Sequence, residues 1–128
     1  MREKTVENHL RQKIEKNGGI CLKFVCPGSR GVPDRICLFP NRVIAFVEVK
    51  APDKEVKKGG LQEFWQKRFR ELGFEAVVVH DKREADFLAH RLAAKSQTYG
   101  RMAENLRKKI RGEEIPKKAQ AEEAQHDG

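Results

Sequence analysis

Apolar residues recur every fourth position at the start of the chain: Val6, Leu10 and Ile14 stand in a charged background and Gly18-Gly19 follows. That spacing predicts an amphipathic helix over 3–17, closed by glycine. Residues 20–25 read as a strand, and the turn formers from Cys26 to Pro33 make the next segment a loop. Two apolar runs, 35–39 and 43–50, flank Pro40-Asn41-Arg42 and predict a hairpin with a three-residue loop. A basic, glycine-containing connection over 51–60 leads to Leu61, Phe64, Trp65, Phe69 and Leu72, whose helical spacing ends at Gly73. Residues 75–80, centred on Val77-Val78-Val79, form a short strand. Asp81 with Glu84 has capping-box spacing before a third helix, faced by Ala85, Leu88 and Leu92 and running to about residue 94.

Beyond Ser96 the apolar density falls, although Met102, Leu106 and Ile110 keep a four-residue period that predicts one more helix. The organisation expected is therefore one domain over 4–94, an appended helix over 95–111 and a charged flexible tail over 112–128 that buries little. Strands separated by helices in this order predict an α/β fold, αβββαβα, with a central mixed β-sheet flanked by helices.

The hairpin supplies the chemistry. Closing it on Pro40-Asn41-Arg42 pairs Phe39 with Val43 and sets Asp34 opposite Glu48. Alternation puts Asp34, Ile36 and Leu38 on one face with Ile44, Phe46, Glu48 and Lys50, and Arg35, Cys37 and Phe39 on the other with Val43, Ala45, Val47 and Val49. Both faces are largely apolar, which predicts a covered pair of strands with two carboxylates facing each other at its end. Such a pair repels, and burial strengthens the repulsion, so a cation is expected between them. Lys50 is one charge on a flexible stem, whereas a divalent ion satisfies both carboxylates. Hard oxygen ligands point to Mg2+ or Mn2+ over zinc.

Composition adds a polyanion to this picture. The 128 residues hold 27 Lys and Arg against 19 Asp and Glu, a net charge of +8, and charged residues reach 36% against an average of about 25%. Most of the excess falls in residues 1–92, so the expectation is a folded surface and not a basic tail that meets a polyanion; charge that only aids solubility is the alternative reading. Lys23, Arg30 and Arg35 lie beside the carboxylates, and Lys54, Lys57 and Lys58 cluster in the connection after the hairpin. Both groups are candidate nucleic-acid contacts. No run approaches the roughly 18 apolar residues of a membrane span, and charged sequence follows Met1, so a cytoplasmic location is expected.

The three cysteines, Cys21, Cys26 and Cys37, suggest reduced thiols; Cys-x4-Cys has no second matching pair for zinc, and packing as small apolar groups explains them better. Trp65 and its phenylalanine neighbours have the spacing of core residues more than of a base-stacking platform. His9, His80, His90 and His126 are scattered and suggest no catalytic base.

Gly31-Val32-Pro33-Asp34, then Glu48-Val49-Lys50, then Gln62 opening a helix, with Glu7 in the first helix, closely resembles the PD-(D/E)XK nuclease superfamily and in particular its VRR-NUC branch. The resemblance covers roughly residues 4–92, and that family's αβββαβ order agrees with the periodicity. It implies that Asp34 and Glu48 are metal carboxylates, with the Val49 carbonyl as a third ligand. It also implies that Lys50 serves the attacking water and the phosphate, that Glu7 is a helix-one acid holding metal, and that Gln62 positions the lysine or water. The implied activity is Mg2+-dependent hydrolysis of DNA, with Mn2+ able to substitute and no small-molecule cofactor. By the same resemblance, stand-alone members of this size act as homodimers on branched DNA such as Holliday junctions. A catalytically silent DNA-binding module of the same fold is the competing reading, against which the intact acidic and lysine positions stand.

Overall fold

The computed structural model describes residues 2–112. Its elements are α1 (Glu3–Lys16), β1 (Ile20–Lys23), β2 (Arg35–Phe39), β3 (Val43–Val49), α2 (Leu61–Glu71), β4 (Glu75–Val79) and α3 (Lys82–Ile110). The strands form one mixed sheet in the order β1-β2-β3-β4, antiparallel at the first two junctions and parallel between β3 and β4. The hairpin has the expected register, from Phe39 opposite Val43 to Arg35 opposite Val47. Its tip turns through Asn41 and Arg42, both left-handed at φ 66° and 64°.

The two faces of the sheet are unlike. Cys37, Phe39, Val43, Ala45, Val47 and Val49 are buried in one core with Val6, Leu10 and Ile14 of α1 and Ala85, Leu88, Ala89 and Leu92 of α3. α1 and α3 are further joined by His9 Nε2 and Asp86 Oδ1, 2.7 Å apart. On the opposite face Phe46 stacks on Phe69 of α2 with ring centroids 4.2 Å apart, and Phe24 and Phe74 close around the pair. This side is only partly covered: Ile20 and Leu22 of β1 remain about half exposed. The eleven-residue α2 packs chiefly against β4. Its spacing predicts a buried stripe, yet Leu61, Phe64 and Leu72 each keep 55% of their surface.

The larger departure lies in α3. Where the pattern predicts one helix to about residue 94 and another beyond, the chain forms a single helix of 29 residues. It is continuous because its middle receives the hairpin tip. Ser96 Oγ donates to the Pro40 carbonyl at 2.7 Å, and Asn41 Nδ2 donates to the Ser96 carbonyl at 2.9 Å. A Cβ on Gly100 would stand 2.7 Å from Asn41 Nδ2, so the bare backbone leaves room for that side chain. The apolar signal fades after Ser96 because the surface that docks there is a polar turn. Leu106 and Ile110, further along, are 57% and 78% exposed. Gly112 is the last described residue, and the charged tail expected over 112–128 otherwise lies outside the described residues. Among those residues no helix is long and apolar enough to cross a membrane.

The helix start also differs in detail. Asp81 Oδ1 accepts from Glu84 N at 2.8 Å, but Glu84 returns its carboxylate to His80 N and not to Asp81. The box is one residue wider than its spacing suggests.

Replacing Asn41 with alanine removes both the bond to Ser96 and a side chain tolerant of left-handed backbone. The expected cost is about 1–2 kcal/mol of unfolding free energy, seen as a lower urea midpoint with an unchanged slope. An unchanged midpoint would show that the hairpin tip does not hold α3.

Candidate active site

The site is assembled at one end of the sheet by three segments: the loop before β2, the end of β3 and the start of α2. The loop reaches α2 because Gly31 has no side chain. At φ 85° it sits so close that a Cβ would stand 2.5 Å from Leu61 Cβ and 2.8 Å from the Leu61 carbonyl carbon. The same contact is pinned by Trp65 Nε1, which donates to the Arg30 carbonyl at 2.8 Å. Trp65 is thus a half-buried clamp on the loop. From there buried Pro33 leads directly into Asp34.

Asp34 Oδ2 accepts from the Val49 amide at 2.8 Å, which ties its carboxylate across the hairpin to the end of β3. Glu48, one residue earlier, is 2% exposed. Gln62 Nε2 donates to Glu48 Oε2 at 2.9 Å, and Lys50 Nζ lies 3.9 Å from the same oxygen. Glu48 Oε1 is buried and has no hydrogen-bond partner. Burial, followed by the charge and hydrogen bonding of Asp34, pushes the Glu48 carboxyl up to about 8, and the Lys50 charge offsets only part of this. Asp34, Glu48 and Lys50 therefore come together as the hairpin spacing predicts, and Gln62 joins them as the resemblance implies.

Two expected members do not join them. Glu7 accepts from Arg35 Nε at 2.7 Å, and Arg35 is 7% exposed. Strand alternation explains this: Arg35 is one residue from Asp34 and so projects to the α1 face, where a buried guanidinium requires a carboxylate. Arg35 is consequently a core ion-pair partner and not a surface cation, and Glu7 is engaged on the side of the sheet opposite Glu48. Glu3, one turn earlier on α1 and exposed, adds only the smallest of the charges that raise the Glu48 carboxyl. Among the described residues no third His, Cys, Asp or Glu completes a cluster with Asp34 and Glu48.

The remaining cations are accessible. Lys54, Lys57 and Lys58 are exposed on the connection between β3 and α2, and Arg30 is exposed on the loop clamped by Trp65. Lys23 is also exposed, but it pairs with Arg35 across β1 and β2 and shares that residue's face.

No protein-family model matches the chain. Over 79 residues it is 44% identical to a protein of Acyrthosiphon pisum secondary endosymbiont phage 1 named "Putative nuclease p44", which spans 62% of this chain and 83% of that protein. A solved structure described as a VRR_NUC domain superposes with a TM-score of 0.63 at 30% identity, over 69% of this chain and 94% of that one.

The raised Glu48 carboxyl has a consequence for stability. An acid whose folded value, about 8, lies above its ordinary 4.5 contributes stability that is complete below 4.5 and is lost as pH rises through 8. Without metal, the protein is expected to lose on the order of a few kcal/mol between pH 5 and pH 9, and Glu48→Gln to flatten that decline. Parallel pH profiles of melting temperature for the two proteins would mean that Glu48 ionises as readily folded as unfolded.

Proposed function

Because the chain belongs to the VRR-NUC family of nucleases, we propose that the cluster of Asp34, Glu48, Lys50 and Gln62 is the active centre of a metal-dependent DNA endonuclease. The observation that carries this reading is the unpaired, buried Glu48 Oε1 beside Asp34. Two close carboxylates with one oxygen lacking any protein donor form a hard-oxygen set suited to Mg2+, for which Mn2+ can substitute. Asp34, Glu48 and the Val49 carbonyl would hold the ion. Glu7, which the resemblance would make a third metal acid, is instead held by Arg35. The ion, when bound, lowers the pKa of a water and offsets negative charge on the phosphoryl oxygens.

The protein's own residues do the positioning. The Val49 amide holds Asp34 Oδ2, and the Gln62 amide holds Glu48 Oε2, so neither carboxylate must reorganise to present its second oxygen. Lys50 reaches the same edge on a flexible stem and would orient the attacking water and balance charge on the phosphate. Burial of Glu48 keeps bulk water from screening these charges. Lys54, Lys57, Lys58 and Arg30 flank the cluster and would hold the DNA backbone on either side of the scissile phosphate. These contacts are to phosphate, so they favour recognition of DNA shape over base sequence. The proposed substrate is branched DNA such as a Holliday junction, cut by a homodimer that presents one site to each of two opposed strands.

Cleavage of single-stranded, duplex, flap and four-way-junction DNA with Mg2+, Mn2+ or EDTA tests this reading. Asp34→Asn and Glu48→Gln are each expected to abolish metal-dependent cleavage while leaving the circular-dichroism spectrum and DNA binding intact. Near-normal turnover in either variant at saturating Mg2+ would refute the site. Junctions should be cut faster than linear duplex, by a species that light scattering finds to be dimeric.

Replacing Lys54, Lys57 and Lys58 together with alanine should weaken every DNA substrate alike and lower the slope of log K against log salt by about 2–3. An unchanged slope would move the DNA path away from this connection.

A further inference from the structure

Behind the carboxylates, on the sheet face covered by α1, Cys21 of β1 and Cys37 of β2 stand directly opposite each other. The hydrogen-bond pattern fixes the kind of pair they form. Phe24 N donates to the Asp34 carbonyl at 2.9 Å, so Phe24 and Asp34 occupy a hydrogen-bonded position in the antiparallel ladder. Bonded and non-bonded positions alternate, which makes Cys21 and Cys37, three steps away, a non-hydrogen-bonded pair. There the Cα atoms lie only about 4.5 Å apart and side chains approach most closely. The two sulfurs are 3.7 Å apart. A Cα separation of that size falls at the short end of the range a disulfide spans, and closing to about 2.05 Å needs side-chain rotation with a small approach of the strands.

The thiols are also unequal. The Cys37 thiol donates to the Cys21 sulfur and the Arg35 charge lies nearby, which together hold the Cys21 thiol below its ordinary range, while the same bond and burial push Cys37 up. Cys21 is thus the better nucleophile and Cys37 the resolving thiol. Both are buried. Yet β1 has only four residues, lies at the sheet edge, and leaves Ile20 and Leu22 about half exposed on its other face. Local opening of so short an edge strand admits a molecule the size of hydrogen peroxide.

We propose that Cys21 and Cys37 are a peroxide-oxidisable dithiol that closes to an intrachain cross-strand disulfide, fastening the two ends of the segment that bears Arg30, Gly31 and Asp34. The Cys21 sulfur attacks peroxide; an S–O bond forms, the O–O bond breaks, and the departing hydroxide takes the thiol proton to leave as water. The Cys37 sulfur then attacks the Cys21 sulfenic acid; the S–S bond forms, the S–O bond breaks, and a second water leaves with the Cys37 proton. Each sulfur is oxidised by one electron and the peroxide is reduced by two. The ring closes residues sixteen positions apart, so the bond removes conformational freedom from the unfolded chain and raises the melting temperature. Exposed Cys26 takes no part.

The test uses the full chain carrying Cys26→Ser, treated with hydrogen peroxide, unfolded in the presence of a thiol alkylator, and mapped by mass spectrometry without reduction. The expected product is a linked peptide pair containing Cys21 and Cys37, two hydrogens lighter than the dithiol and restored to two alkylated cysteines by dithiothreitol. The oxidised protein should melt several degrees higher, and Cys37→Ser in the same background should show neither the link nor the rise. Two free, alkylated cysteines after peroxide, oxidation that stops at sulfinic acid, or a bond joining two chains would each overturn the proposal. A linked pair with an unchanged melting temperature would overturn its fastening role. Should the Cys37→Ser chain not fold, the peptide map of the Cys26→Ser protein decides alone.

Discussion

A carboxylate buried beside another carboxylate is the constraint around which this protein is organised. Glu48 has almost no solvent contact and faces the charge of Asp34, a placement that raises its free energy whenever it is ionised. Every nearby device reduces or exploits that cost. The Val49 amide neutralises part of the Asp34 charge, the Gln62 amide and the Lys50 ammonium approach the same oxygen of Glu48, and the other oxygen is left without a protein partner. A site that is unfavourable when empty and ionised is one in which a bound cation gains the most.

Holding that arrangement requires α2 to be anchored at its start, and this explains the chemistry of the loop before β2. Gln62 reaches Glu48 only if the first turn of α2 stands against the loop, and Gly31 permits that contact because a side chain there would overlap Leu61. The Trp65 bond to the Arg30 carbonyl prevents the two from separating. A helix whose own stripe is largely exposed is therefore positioned at its N-terminal end by a close backbone approach and one indole, with the Phe46–Phe69 stack completing its hold further along.

The other face of the sheet serves a different purpose. There α1 and α3 bury the main core, and polar groups in it and at its edge are paired: Arg35 with Glu7, His9 with Asp86, and Ser96 and Asn41 with the hairpin and helix backbones. Chemistry and stability are thus divided between opposite sides of two adjacent strands, with consecutive residues Asp34 and Arg35 assigned one to each. Cys21 and Cys37 lie on the stability side, on β1 and on β2, the two strands joined by the segment that carries Asp34.

What could be read from the linear chain was whatever depends on period and on short loops. Val6-Leu10-Ile14 announced α1, and the tight loop at Pro40-Asn41-Arg42 determined the register that sets Asp34 against Glu48, because a three-residue hairpin leaves few ways to pair its strands. Lys50 followed from strand alternation two residues past Glu48, whereas Gln62 was marked only by the resemblance to the VRR-NUC nucleases. Only the tertiary structure decided which partner each remaining charge would take. Glu7 and Arg35 both looked available for the site, but the side of the sheet on which Arg35 emerges, combined with the cost of burying it alone, joined them to each other. Nor could periodicity foresee the unbroken α3, since the contact that continues it past residue 94 is made by polar groups of Asn41 and Ser96 and by the missing side chain of Gly100. Local pattern specifies elements and the register of close neighbours; long-range pairing of polar groups depends on packing that no single segment contains.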